Sequence, residues 1–367
     1  MDHLPITTVV GTAAFVIGLV FGGVAQGTDF CTMGSLSDIV FMGDWRRFRS
    51  WMLAIAIAMV GSQALDAAGM INLDTSIYTT SQFGWAGDII GGLLFGFGMT
   101  HGSGCGLKTL TRAGSGNLKS MVVALVLGLF AYMTLRGLFA IPRTALAGAT
   151  AINTNSFGAH TEALDEILAV ATGIARPTMR WIVTGIEAGA LAIFAFKDAG
   201  FRTSPRHLIA ALLIGLAVPA GWYATGVIGN DMFNPTALAS LTFVSPIADS
   251  MQYLMTYTGT TIDFGVASVG GVIVGAFLVS LFTGRFHIES FTNTSDMVRH
   301  MVGGAMMGVG GVVALGCTIG QGLTGVSTLA VGSVLATASI ISGGIIGLKV
   351  LEAGGVGEAF RAVFSRA

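Results

Sequence analysis

Three cysteines, Cys31, Cys105 and Cys317, are the only thiols in 367 residues, and the same phrase precedes each of them. Gly18-Leu19-Val20-Phe21-Gly22 leads to Cys31, Gly92-Leu93-Leu94-Phe95-Gly96 to Cys105, and Gly304-Ala305-Met306-Met307-Gly308 to Cys317. Each time the first glycine stands 13 residues before the cysteine, with a second glycine four positions along. A fourth copy from Gly215 has Ile228 at the cysteine position and carries Gly221-Trp222-Tyr223-Ala224-Thr225-Gly226 instead. A lone buried thiol is ordinarily a small hydrophobe. Three at one repeat position point to a shared task. Their neighbours Thr32, Gly104, Gly106, Gly316 and Thr318 are small, so the backbone can approach a ligand and offer it N–H groups.

Two cargoes suit such a lining: a soft cation held by thiolates, or an anion with a polarisable sulfur, met by neutral S–H donors and helix N-termini. Charge separates them. A cation path through hydrocarbon normally shows acidic side chains. Asp88 stands near a span end and Glu187 within a span, and no acid adjoins Cys105 or Cys317, although Asp29 precedes Cys31 by two. Thiols buried among apolar groups stay protonated and can donate to an anion, so the anion is the preferred cargo. His101 and Cys105, four apart, are read as sharing a helix face, but two ligands make a poor metal site; no metal site or cofactor is expected. Trp222 and Thr225 pair packing with an interhelical hydrogen bond, with a substrate-binding place on the path as the alternative. Asn234-Pro235 reads as a helix cap and Arg46-Arg47-Phe48-Arg49 as a topology signal. No GxxxxGK[ST] run exists for a nucleotide phosphate.

The elements that must hold these residues are membrane helices. Hydrophobic residues make up 53% and charged residues 10% of the chain, against about 25% charged in soluble domains. Mean hydropathy is +0.78. The net charge of −1 offers no field for nucleic acid. With three cysteines and no CxxC, a disulfide scaffold and a four-cysteine zinc or iron–sulfur site are excluded. Apolar runs predict nine spans: Ile6–Ala25, Trp51–Met70, Trp85–Gly102, Ser120–Ile141, Trp181–Phe196, His207–Thr225, Phe264–Thr283, His300–Gly316 and Val331–Leu351. Basic residues gather at Arg46–Arg49, Lys108–Lys119, Lys197–Arg206, Arg285–Arg299 and the tail with Arg361 and Arg366, while Asp66–Gln82 and Gly226–Asp263 hold none. This places the N-terminus outside and the C-terminus in the cytoplasm. The copies at Gly18 and Gly92 then run opposite to those at Gly215 and Gly304. The expected fold is an all-α polytopic membrane protein with an inverted pseudo-twofold repeat: a first half 1–145, an outer connecting loop 146–179 and a second half 180–367. Thr28–Ser37, Ser103–Thr111 and Thr318–Ser327 are too polar to face lipid and read as short re-entrant helices lining a path.

These residues resemble a known family. Gly102-Ser103-Gly104-Cys105 with Thr109-Leu110-Thr111-Arg112-Ala113-Gly114-Ser115-Gly116-Asn117 is similar to the first-half signature of the YeeE/YedE (sulphur transport) family. Gly316-Cys317-Thr318-Ile319-Gly320-Gln321-Gly322-Leu323-Thr324-Gly325 resembles that of its second half, and Gly221–Gly226 fits as well. The resemblance covers nearly the whole chain. It implies a bacterial inner-membrane transporter taking up thiosulfate or a related sulfur anion. Nine spans and short re-entrant helices would form an hourglass bundle in membrane lipid, with Cys31, Cys105 and Cys317 passing the anion along by S–H···S contacts. It also implies a separate TusA-like sulfurtransferase partner on the cytoplasmic side. Two rivals stand: a membrane thiol or sulfurtransferase enzyme with cysteine nucleophiles, and a soft-metal transporter. The transporter reading assigns no catalytic residue.

Overall fold

The computed structural model describes residues 5–231 and 235–354. Asn234, Arg361 and Arg366 lie outside the described residues. The helices are α1 (Ile6–Thr28), α2 (Thr32–Ser37), α3 (Arg46–Ala67), α4 (Trp85–His101), α5 (Gly106–Gly114), α6 (Leu118–Arg136), α7 (Ala140–Thr150), α8 (Leu164–Thr172), α9 (Arg176–Phe196) and α10 (Ala199–Arg202). They continue with α11 (Pro205–Tyr223), α12 (Val244–Met255), α13 (Phe264–Phe282), α14 (Thr294–Val313) and α15 (Val331–Glu352). Two-residue strands, β1 (Gln82–Phe83) and β2 (Ile152–Asn153), pair antiparallel.

Seven helical stretches, those containing α1, α3, α6, α9, α11, α13 and α15, are long and apolar enough to cross a bilayer. The chain is an all-α polytopic membrane protein. The other two expected spans form α4 and α14, which fall outside that set. The first has 17 residues, and the second opens on Asp296, Arg299 and His300. Residues 146–179, expected to be an outer connecting loop, carry the end of α7, strand β2, all of α8 and the first turn of α9. The α3 helix starts five residues before Trp51 because its arginines find partners: Arg47 pairs with Asp38 at 2.9 Å, and Arg49 donates to the Phe194 carbonyl and lies over its ring.

Lipid tails are as apolar as leucine, so helices in a bilayer associate by close packing rather than by escape from water. The repeat glycines make that packing. Helix α1 lies along α13, where a Cβ on Gly18 or Gly22 would run into the Ser268 and Val272 backbone. Helix α11 lies along α3, with Gly215 over Ala54 and Ile57. Helix α4 lies along α15, with Gly92 and Gly96 against Ala336 and Ile340, and α14 along α6, with Gly304 and Gly308 against Val123 and Leu127. In addition α1 meets α11 and α4 meets α14.

Ahead of α12, residues 235–243 form no regular element and bury Ser240, Leu241 and Phe243, and side chains satisfy the backbone there. Thr225 Oγ1 donates to Ala239 O at 2.7 Å and accepts from Ala239 N at 3.2 Å. Ser240 Oγ donates to Val218 O, and Thr324 Oγ1 donates to Leu241 O. Each bond removes an orphaned polar group that would be costly away from water.

Candidate functional site

All three cysteines follow the same backbone event. Asp29, Ser103 and Leu315, each two residues ahead of a cysteine, adopt left-handed φ values of 56°, 58° and 56°. This ends the preceding helix and turns the chain. The cysteine then starts a new helical segment. Cys31 caps α2, Cys105 caps α5, and Cys317 precedes a π-helical turn, Gly320–Gly325. Two of the sulfurs accept from the backbone N–H three residues on, Cys31 from Gly34 N at 3.4 Å and Cys317 from Gly320 N at 3.5 Å, whereas the Cys105 side chain makes no such capping bond. A thiol that accepts this way keeps its S–H free to donate elsewhere. The fourth copy does none of this. Helix α11 passes straight into a π turn, Ala224–Ile228, without a left-handed residue.

All three thiols are buried, Cys105 and Cys317 completely. The Cys31 and Cys105 side chains lie side by side, although 74 positions separate them. Beside Cys105 stands the hydroxyl of Thr318, the residue after Cys317, without a well-aligned hydrogen bond. Thr32 Oγ1 is likewise buried and unpartnered. Thus both halves of the sequence contribute to one cluster of thiols and hydroxyls. The glycines beside the cysteines face protein: Gly104 the Lys108 stem, Gly106 the Phe243 side chain and Gly316 the start of Gln321.

Other expected residues have different places. His101 ends α4 and Cys105 precedes α5, so the left-handed Ser103 between them breaks the helix face they were expected to share. The His101 ring stacks on Phe97, with centroids 4.5 Å apart, and its Nδ1 lies 3.2 Å from Phe97 O. Trp222 is fully buried, its Nε1 3.5 Å from Ser327 Oγ, and Thr225 clamps the segment ahead of α12; both hold the wall.

Two cavities flank the cluster. One, of about 580 Å³, is lined by Asp29, Ser103, Lys108, Arg112, Arg285 and Arg299 among others. Asp29 sits among three cations: Arg206 at 2.6 Å, Lys108 at 3.4 Å and Arg285 at 3.6 Å. One carboxylate cannot neutralise them all, so the field here is positive. The Lys108 and Arg112 charges reach Cys31. The other cavity, of about 130 Å³, is lined by Tyr78, Asp88, Arg143, Glu162, Gln321 and Ser333. Tyr78 lies near Cys317, its hydroxyl bonded to Thr242, and burial pushes its phenol above the ordinary range. Neither wall includes a thiol.

Sequence reasoning missed Tyr78, Gln321 and Trp51. The Trp51 ring lies against Gly322, and its Nε1–H is buried without a partner. Gln321, four residues after Cys317, was visible inside its motif; Tyr78 and Trp51 left no local signal.

The sequence model described as sulphur transport matches residues 27–346. The chain belongs to that family. Among curated relatives of this sulphur transport protein is the thiosulfate transporter TsuA of Escherichia coli K12, 27% identical over 325 residues, which are 85% of this chain and 86% of that protein. The protein of the same name from Spirochaeta thermophila is 25% identical over 314 residues, 85% of this chain and 90% of that one. The matched region includes Cys31, Cys105 and Cys317 and both cavities' principal side chains.

Proposed function

We propose that this protein takes up thiosulfate along a path joining the two cavities, in the order Cys317, Cys105, Cys31. The observation that carries the reading is the placement of Cys31 alongside Cys105 beside the Thr318 hydroxyl. Thiosulfate is a dianion with one soft sulfur and three hard oxygens. Neutral thiols suit the soft end, and hydroxyls, backbone N–H groups and the positive field around Lys108 suit the oxygens. Sulfate has no soft end, so discrimination falls to the thiols. The similarity in sequence to proteins named thiosulfate transporters supports this cargo.

The path sits in an inverted repeat of nine spans: halves 1–145 and 180–367, joined by 146–179. Two exchanges of partners support it, α1 with α13 matching α11 with α3, and α4 with α15 matching α14 with α6. Pseudo-equivalent helices thus repeat each other's contacts. The basic cavity faces the cytoplasm of a bacterial inner membrane, with the N-terminus outside, because Lys and Arg collect there. A separate TusA-like sulfurtransferase would receive the sulfur anion at that mouth.

Proteoliposomes containing the protein should accumulate labelled thiosulfate, with unlabelled thiosulfate competing and sulfate failing to compete. No accumulation, or equal competition by sulfate, would refute the cargo. Two adjacent thiols also suit a thiol–disulfide or sulfurtransferase enzyme. In that case mass spectrometry during turnover would find a disulfide or persulfide at Cys31 or Cys105; the transporter keeps both thiols unmodified.

The Thr318→Val variant separates function from folding. It replaces an unpartnered buried hydroxyl by a methyl of similar size, a change that is neutral or stabilising for the fold. Its melting temperature should stay level or rise, while thiosulfate uptake falls about tenfold, the loss of about 1.4 kcal/mol of contact to an anion.

A further inference from the structure

The smaller cavity holds two carboxyl groups that the sulfur chemistry leaves unused. Asp88 is in the first turn of α4, and Glu162 lies two residues before α8. Only 5% of Asp88 and 8% of Glu162 is exposed. A single point, where a Cβ on Gly332 would stand, is 2.8 Å from Glu162 Oε1 and 2.9 Å from Asp88 Oδ2. The two acids therefore close over one glycine at the start of α15.

Among the described residues no cation answers them. Arg143 lines the same cavity, but its guanidinium donates to Thr134 O at 3.0 Å and Leu135 O at 3.4 Å. Arg176 and Arg180 on α9 are engaged by Asp165, and also by Asp74, Glu166 and Asp66. The remaining titratable group is the neutral Tyr78 phenol; the end of α14 contributes Val313, the turn after it Leu315, and α15 contributes Gly332 and Ser333. Helices α4 and α15 both bring N-terminal turns here, yet among the described residues no hydrogen bond reaches either carboxyl group. In the same cavity wall Gln321 Oε1 is a buried acceptor without a donor.

Two carboxylates facing each other away from water cannot both ionise. Burial and the Asp88 charge push Glu162 up to about 8. A dianion entering past two negative charges would also be repelled strongly in this low-dielectric setting.

We propose that the Asp88–Glu162 pair is a proton-binding site at the mouth leading to Cys317, and that the anion enters only while the pair holds its protons. This rests on the transport reading above. The sign follows from an acid whose charged form blocks passage: uptake is full on the acidic side and is lost as pH rises through about 8.

The test is thiosulfate uptake into proteoliposomes as a function of external pH for the parent, Glu162→Gln, Asp88→Asn and the double variant, with thermal melts to establish folding. The parent should lose about tenfold of its rate between pH of about 7 and about 9. The double variant Asp88→Asn with Glu162→Gln, which cannot ionise there, should keep most of its rate across that range, and each single variant should alter the profile. Difference infrared spectra at neutral pH should show a protonated carboxyl band that weakens in each variant. A parent that transports with a pH profile unchanged by either substitution overturns the proton site and leaves the transport reading standing. So does uptake that needs sodium and ignores pH, or an infrared band that neither substitution reduces. A parent that takes up no thiosulfate at any pH overturns the transport reading itself.

Discussion

Thiosulfate uptake by the Cys105→Ala variant is expected to fall by about ten- to a hundredfold, with the folded protein still recovered in normal amount. Cys105 is fully buried, lies alongside Cys31, and has the Thr318 hydroxyl beside it. It stands where side chains from the two halves of the sequence meet. A hydrogen bond to a charged partner is worth about 1.5–3 kcal/mol, and losing one at the constriction slows passage accordingly. Cys105→Ser sharpens the result. Serine is a strong N-cap, so it starts α5 at least as well as Cys105, whose side chain makes no capping bond, but it offers a hard oxygen where the cargo presents soft sulfur. The serine variant should therefore melt like the parent and transport thiosulfate as poorly as alanine does. Initial uptake rates together with melting temperatures check both halves. Wild-type rates in Cys105→Ala would remove the thiol relay.

The second large effect concerns packing. Gly22→Leu and Gly96→Leu should each abolish recovery of monodisperse protein in detergent. A Cβ on Gly22 would overlap the Val272 carbonyl, and one on Gly96 would overlap Ile340 O and stand 2.7 Å from Gly344 N. These obstacles are backbone, which no rotamer change moves aside. Overpacking costs about 1–3 kcal/mol when side chains can yield, and more here. Gly189→Ala on α9 is the control. Nothing lies within 4 Å of the new methyl, so its melting temperature should match or slightly exceed the parent's. Size-exclusion profiles and melts of the three variants settle the matter; a well-folded Gly96→Leu protein would show that α4 and α15 are not held at the distance described.

How far the sequence reveals all this depends on where the information resides. The glycine phrase before each cysteine was legible because close helix approach demands one residue type at a fixed spacing. The thiol cluster was legible only in part. Repetition singled out Cys31, Cys105 and Cys317, but their juxtaposition depends on helix pairings between residues hundreds of positions apart, such as α1 with α13. The His101–Cys105 face failed for a local reason: Ser103 takes a left-handed conformation that serine seldom adopts, and nothing in its type announces it. Tyr78 was hidden because it comes from a connection whose sequence reads as ordinary loop. The helices within 146–179 were obscured by the polar residues Asn153, Asn155 and His160, which punctuate the stretch.

The unbroken passage of α11 into its π turn has one last consequence. At the other three copies the chain stops and restarts, and at Cys31 and Cys317 the restart gives sulfur an amide to rest on. At Ile228 no restart exists, and the side chain lies 36% exposed along an apolar outer groove with Thr8 and Val16. A fourth sulfur installed there would meet hydrocarbon rather than cargo. The cysteine position of this copy therefore faces outward and adds no polar group to the thiol cluster.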